Sequence, residues 1–133
     1  MGLILDTDVI VAPRRRGFDL RKTLAGYADM EVAIAAVTAA ELVRGVALSP
    51  DAVRARRRGV VEAILAVVPV LPFGLAEARE YGRLAAELAS QPSRPAPHHL
   101  LIAATALSAG WALLTLAPED YGAVDGLVIA PIG

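Results

Sequence analysis

The sequence contains no cysteine and only two histidines among its 133 residues. Disulfide bonds, thiolate catalysis and cysteine-ligated zinc or iron–sulfur sites are therefore excluded. A metal ion would need carboxylate or imidazole ligands. The absence of cysteine also fits a reducing compartment, and we expect a cytoplasmic protein.

The sequence also has no large excess of positive or negative charge. There are 13 basic and 14 acidic residues, a net charge of −1, so no overall field attracts nucleic acid and any contact with RNA must be local. Lysine is nearly absent, and arginine forms two clusters. Arginine pairs well with phosphate, so we expect RNA contacts from the cluster that follows the first strand: Arg14, Arg15 and Arg16. The arginines at 54 to 58 are expected on an outer face or in a partner groove.

A membrane span is not expected, although residues 100 to 118 carry no charge. Ser108 and Gly110 interrupt this run where a helix would end, and the strand-like segment WALLT follows. The first residues do not resemble a signal peptide, because Asp6 and Asp8 interrupt an apolar stretch that has no basic leader.

Short apolar segments alternate with helical ones along the chain. Strands are predicted at GLILD, EVAIAAV, WALLT and LVIAPI, with a short extended segment at VPVLPF. One helix is predicted to begin at Thr38, with Glu41 three residues later in a capping box. This alternation predicts one α/β domain over residues 1–133 with a mostly parallel sheet.

Polar side chains are predicted to meet at one edge of this sheet. Ligands of parallel α/β sheets bind outside the carboxyl ends of the strands, and carboxylates are the ligands that Mg²⁺ and Mn²⁺ prefer. Such ions can activate water for attack on a phosphodiester. Four residues are predicted at this edge: Asp6, Glu41, His99 and Asp120. Helix capping or turn formation would explain each of them taken singly, but their common edge favours a metal site made of all four.

Four segments, in this order, resemble PIN domains of the VapC type, the ribonuclease toxins of bacterial toxin–antitoxin pairs. They are LILDTDVI, VAIAAVTAAELVRGV, LLIAATAL and LLTLAPEDY, and the resemblance covers nearly the whole chain. It implies an α/β/α sandwich and an endoribonuclease that depends on Mg²⁺ or Mn²⁺ and cleaves structured RNA, such as tRNA or ribosomal RNA. The resemblance implies that Asp6, Glu41 and Asp120 are the catalytic acids. It also implies that these three acids and His99 are the metal ligands.

The resemblance also implies further site residues and a partner. Thr7 matches the hydroxyl residue beside the first acid, and Thr115 and Asp8 are further candidates. A cognate antitoxin is expected to lie along an apolar groove, and the assembly to be a homodimer or a toxin–antitoxin hetero-oligomer. The groove is predicted from the apolar positions Leu42, Val46, Val60 and Ile64.

Two positions depart from the family pattern. His99 stands where the family has an aspartate, and Ala117 where it has asparagine or aspartate. Imidazole suits Mn²⁺ better than Mg²⁺, so weakened Mg²⁺ binding and weakened activity are expected. Asp8 either restores the lost charge or bonds the backbone locally.

Two alternatives stay open at this point. LILDTDVI also resembles the first motif of haloacid-dehalogenase-like phosphatases, with Asp6 as nucleophile and Asp8 as general acid, although the sole lysine, Lys22, comes too early for that family. Alternatively, the chain is a catalytically inactive PIN fold that binds an antitoxin or RNA, which His99 and Ala117 would favour.

Overall fold

A parallel sheet forms the centre of the computed structural model, which describes residues 1–15 and 17–132. Its strands are β1 (Gly2–Leu5), β4 (Glu31–Ala35), β5 (Val70–Leu71) and β6 (Ala112–Leu114), in the spatial order β5-β4-β1-β6. All three neighbouring pairs are parallel. The carboxyl ends of β1, β4 and β6 therefore share one edge, as predicted.

The two faces of the sheet carry separate apolar clusters. Ile4 packs with α5 and α6 residues such as Leu84 and Ile102, whereas Leu3 and Leu5 pack with Val9 and other residues on the opposite face. This alternation along a fully buried strand is typical of a sheet covered on both sides, and it confirms the predicted sandwich. The helices are α1 (Thr7–Val11), α2 (Leu20–Ala25), α3 (Ala36–Ala47), α4 (Asp51–Val67), α5 (Leu75–Leu88) and α6 (Pro97–Ala109).

Several local features differ from the prediction. A small antiparallel hairpin, β2 (Arg14–Arg15) with β3 (Phe18–Asp19), follows α1, and neither element was predicted. Gly17 adopts a φ of 79° beside β3, a conformation that glycine favours. The predicted last strand, residues 127 to 132, is reduced to one bridge between Leu113 and Ile129. At this bridge the Leu113 N–H donates to the Val128 carbonyl and the Ala130 N–H donates to the Leu113 carbonyl, each at 2.8 Å.

The predicted capping box is wrong. β4 leads directly into α3, whose N-cap is Ala35, without a side-chain hydrogen bond to the helix. Thr38 is therefore inside the first turn and fully buried, and the Glu41 carboxylate is free for another partner.

None of the helices in the described ranges is both long and apolar enough to cross a bilayer.

Glu77 joins α5 to α6. Its Oε1 accepts a hydrogen bond of 2.8 Å from the Gly74 N–H, and its Oε2 accepts one of 2.8 Å from the Ser108 hydroxyl. These bonds, the Gly74 bond first, lower the pKa of Glu77 below its ordinary value of 4.5. Folding therefore favours the ionised carboxylate.

We predict that Glu77→Gln lowers the free energy of unfolding at neutral pH, and that the difference from wild type shrinks as pH falls. Because the folded pKa is depressed, the stabilisation is complete above 4.5 and is lost as pH falls through the folded value. Urea unfolding at pH 7 and pH 3 measures the effect. Glu62→Gln, an exposed glutamate on α4, is the control, and an equal pH dependence in both variants would contradict the assignment.

Candidate metal centre

Asp6 lies directly after β1, at the carboxyl edge of the sheet, and is only 4% exposed. The Thr7 N–H donates to its Oδ1 at 2.7 Å. Its Oδ2 accepts two bonds, from the Thr115 hydroxyl at 2.8 Å and from the Tyr121 hydroxyl at 2.9 Å. A buried carboxylate is costly unless it is hydrogen-bonded in this way, so its position is fixed by three donors.

Thr7 connects Asp6 to Glu41. The Thr7 hydroxyl donates to Glu41 Oε1 at 2.9 Å and lies 3.0 Å from the Thr38 hydroxyl. The residue after the first acid thus orients the second acid, which lies in the second turn of α3. Two of the predicted acids are held beside each other by a side chain that the sequence also singled out.

Asp8 bonds the backbone across the site rather than locally. Its Oδ2 accepts from the Leu116 N–H at 3.1 Å and from the Thr115 hydroxyl at 3.3 Å. Burial, and then the negative charge of Asp6, raise the pKa of Asp8. Thr115, the residue that follows β6, is within hydrogen-bond distance of both aspartates, and its single hydroxyl proton serves one of them at a time. The negative charge of Asp6 disfavours the ionised form of Asp8.

His99 faces Asp120 at the same edge. His99 lies in the first turn of α6, and its Nε2 is 3.6 Å from Asp120 Oδ2. Asp120 lies in a 3₁₀ turn, Pro118–Tyr121, that follows β6. The His99 ring also lies against that of His98, with 4.0 Å between the centroids and an angle of 43° between the planes. The predicted ligands thus fall into two neighbouring groups, Asp6 with Glu41 and His99 with Asp120.

Tyr121 joins these two groups, and the sequence analysis missed it. Its ring packs edge-on against His99 at 5.1 Å, and its hydroxyl reaches Asp6. Burial, followed by the charge of Asp6, raises the pKa of Tyr121, so the hydroxyl stays protonated and acts as a donor. The available signal was an aromatic residue directly after Asp120, in the loop that follows β6.

The side chains suit a divalent cation chemically, although they are not gathered around one point. Within residues 1–15 and 17–132, no three His, Asp or Glu side chains are close enough together to hold an ion as they stand. In the same ranges, neither arginine nor lysine forms an ion pair with Asp6, Asp8 or Glu41. The edge therefore carries uncompensated negative charge on oxygen donors, and Mg²⁺ and Mn²⁺ match such donors.

Comparison with known families decides the class of protein. A family model of the PIN domain matches residues 3–125. The chain belongs to the PIN-domain family. This PIN domain is 32% identical to Ribonuclease VapC1 of Rickettsia felis, over 99% of this chain and 97% of the relative. Family membership confirms the resemblance inferred from the sequence and removes the phosphatase alternative.

Solved structures share the fold of this PIN domain. The structure of VapBC2 from Rickettsia felis bound to a promoter DNA fragment is 21% identical, with a TM-score of 0.85 over 98% of each chain. VapBC-5 of Mycobacterium tuberculosis, a member of the VapBC family of toxin–antitoxin systems, is 27% identical, with a TM-score of 0.72 over 98% of this chain and 100% of that one.

Basic residues of the PIN domain lie beside the acidic edge. Arg15 lines a cavity of about 410 Å³ together with Asp8, Leu116 and Ala117. Arg14 is the other residue of β2 and is exposed, as Arg15 is. Arg16 lies outside the described residues. One of the predicted RNA contacts is therefore adjacent to the candidate site.

An apolar groove opens between α1, α3 and α4. It has a volume of about 570 Å³, and Ile10 and Val11 of α1 line one side. Arg56 and Arg57 line it as well, whereas Arg54 pairs with Asp51 at 2.6 Å. Glu41 also lines the groove, so the groove leads to the acidic edge. The four apolar positions singled out in the sequence all lie in it: Leu42, Val46, Val60 and Ile64.

Proposed function

We propose that this PIN domain is a divalent-metal-dependent endoribonuclease, and that it is the toxin of a toxin–antitoxin pair in the cytoplasm. The observation that carries the proposal is the buried Asp6 carboxylate at the carboxyl edge, with Asp8 and Glu41 beside it and no ion pair to balance them within the described residues. A relative that is 32% identical is named a ribonuclease, which supports RNA as the substrate.

Asp6, Glu41 and Asp120 are the residues proposed to hold Mg²⁺ or Mn²⁺, with His99 as a further ligand. When bound, such an ion supplies Lewis-acid stabilisation of charge on the phosphodiester and makes water a better nucleophile. Mg²⁺ is often held through only one or two carboxylates with water completing its shell, so the departure at His99 does not abolish the site.

The neighbouring residues orient these acids. The Thr7 hydroxyl fixes Glu41, and the Thr115 hydroxyl fixes Asp6. Asp8 accepts a hydrogen bond from the Leu116 N–H and thereby fixes the start of the loop that carries Asp120. Preorganised ligands need less rearrangement when charge develops on the substrate, which is the main contribution that a protein makes at such a site.

Arg15 is the proposed contact to the RNA backbone. It lines the same cavity as Asp8 and Ala117, and a guanidinium beside an acidic edge offers a phosphate partner where the carboxylates alone would repel it. Arg14 and Arg16 are its neighbours in the sequence, and a chain of net charge −1 needs such a local concentration of basic residues in order to hold RNA. Structured RNA, tRNA or ribosomal RNA, is the proposed substrate.

His99 is the proposed cause of a metal preference. Its imidazole faces Asp120 at 3.6 Å, in the place where the family has a carboxylate. One negative charge fewer at this edge weakens attraction of a dication, and the nitrogen donor suits Mn²⁺ better than Mg²⁺. We therefore propose a nuclease that is more active with Mn²⁺ than with Mg²⁺.

The apolar groove is the proposed antitoxin site. Its floor is apolar and its rim carries Arg56 and Arg57, a combination that suits an amphipathic helix with acidic residues along its edge. A solved structure of similar fold belongs to the VapBC family of toxin–antitoxin systems, which supports this partner. Because Glu41 lines both the groove and the acidic edge, a segment seated in the groove reaches the proposed metal site.

Asp6→Asn is predicted to abolish metal-dependent RNA cleavage. The substitution keeps the shape of the side chain but removes the central negative charge. Cleavage of a panel of tRNAs and ribosomal RNA, run in parallel with Mg²⁺ and Mn²⁺, measures the effect, and Asp125→Asn, an exposed aspartate, is the control. Unchanged cleavage by Asp6→Asn would overturn the mechanism, and a wild type inactive with both ions would favour the inactive binding module.

His99→Asp is predicted to strengthen Mg²⁺ binding several-fold and to raise cleavage in Mg²⁺. The added carboxylate restores a hard oxygen donor beside Asp120. His98→Asp makes the same change of charge one residue away and is expected to have little effect. Calorimetric titration with Mg²⁺ and initial cleavage rates test this, and equal behaviour of the two variants would show that His99 is not at the metal site.

Val60→Asp is predicted to weaken the complex with the antitoxin at least about tenfold, or ~1.4 kcal/mol, because the new carboxylate lies against the apolar side of the partner. Pairing of this carboxylate with Arg56 or Arg57, one turn earlier on α4, would take those arginines away from the acidic edge of the partner. Val43→Asp is the matched control: the two valines are exposed to 58% and 52%, and Val43 does not line the groove. Co-expression with the neighbouring reading frame and co-purification measure the outcome. Equal retention of the partner by both variants would place the interface elsewhere.

A further inference from the structure

The hydrogen bonds to Asp6 are distributed unequally over its two carboxylate oxygens. A carboxylate has about four lone-pair directions, two on each oxygen. Oδ2 accepts from both Thr115 and Tyr121, at 2.8 and 2.9 Å, so both of its directions are used. Among residues 1–15 and 17–132, the Thr7 N–H, at 2.7 Å, is the one hydrogen-bond donor to Oδ1. One direction therefore remains free, and it is on Oδ1.

Tyr121 is the only one of the three donors that comes from outside the strand ends. Thr7 follows β1 and Thr115 follows β6, whereas Tyr121 reaches Asp6 from the 3₁₀ turn that carries Asp120. Its ring is 2% exposed and packs against His99, so the hydroxyl has little freedom to turn away. The same turn thus supplies a predicted ligand and the group that orients another.

We propose that Tyr121 is a positioning residue for the metal site, which holds Asp6 so that only Oδ1 is available to a divalent cation. The proposal rests on the proposed metal-dependent function. Without the hydroxyl, Oδ2 loses one of its two donors, and the carboxylate is held by two hydrogen bonds instead of three, so its rotation about the bond to Cβ is less restricted. An ion then has to fix the carboxylate itself, which lowers its affinity. Groups that orient a metal ligand in this way typically change metal affinity by about 10- to 100-fold.

The test is calorimetric titration with MnCl₂ alone of four proteins: wild type, Tyr121→Phe, Tyr27→Phe and Asp6→Asn. Tyr121→Phe keeps the buried ring and its contact with His99, and its melting temperature shows whether it is folded. Tyr27→Phe is the matched control, because it also removes a tyrosine hydroxyl that bonds to the protein, at the Pro131 carbonyl. We expect Tyr121→Phe to bind Mn²⁺ about tenfold more weakly and Tyr27→Phe to bind as wild type does.

A second measurement separates positioning from structural damage. In RNA cleavage, saturating Mn²⁺ is expected to restore the rate of Tyr121→Phe, because the defect lies in affinity for the ion. If Asp6→Asn has lost Mn²⁺ binding, two results would overturn the role of Tyr121 alone. One is a Tyr121→Phe variant that binds Mn²⁺ as tightly as wild type or more tightly. The other is a cleavage rate of Tyr121→Phe that saturating Mn²⁺ does not restore. A wild type that binds no Mn²⁺, or Asp6→Asn that binds equally well, overturns the proposed metal site and this inference together.

Discussion

The buried carboxylate of Asp6 is the constraint on which the rest of the structure depends. A charge at the end of a fully buried strand is tolerated only if donors surround it, and leaving one such bond unmade costs about 1–3 kcal/mol. Two of the three donors come from residues 109 and 115 positions later in the sequence. Satisfying Asp6 therefore requires that β1, β6 and the following turn be assembled together, so the site depends on the complete fold.

The same arrangement places stability and function in opposition. Burial and the charge of Asp6 raise the pKa of Asp8, which is the signature of two carboxylates held close in a poorly hydrated place. A sequence selected for stability alone would place apolar residues there, since a domain has only about 5–15 kcal/mol of net stability to lose. The proposed divalent cation would neutralise the retained acids.

What was predictable from the sequence depended on how local the signal was. β1 and β4 contain apolar runs, and Asp6 directly follows β1. The common edge at the carboxyl ends of these two strands could therefore be inferred. Two-residue strands such as β2 and β3 carry no periodic pattern, and α1 is only five residues long, so both were missed. The capping box failed because α3 begins directly after β4, with Ala35 as its N-cap, which places Thr38 inside the helix. There Thr38 lies next to Thr7, a contact over 31 residues that no local motif reports. Tyr121 escaped notice for the same reason.

Glu41 is the point at which the two proposed activities meet. Its carboxylate accepts from Thr7 beside Asp6, and the same side chain lines the apolar groove. A partner that seats apolar residues on Leu42 and Val46 and brings a cation to Glu41 would compete with the metal ion for that carboxylate. Binding of the two ligands would then be coupled, and by linkage a bound ion would weaken the partner by the same factor as the partner weakens the ion. Inhibition would thus require no change in the fold, only the occupation of one shared acid.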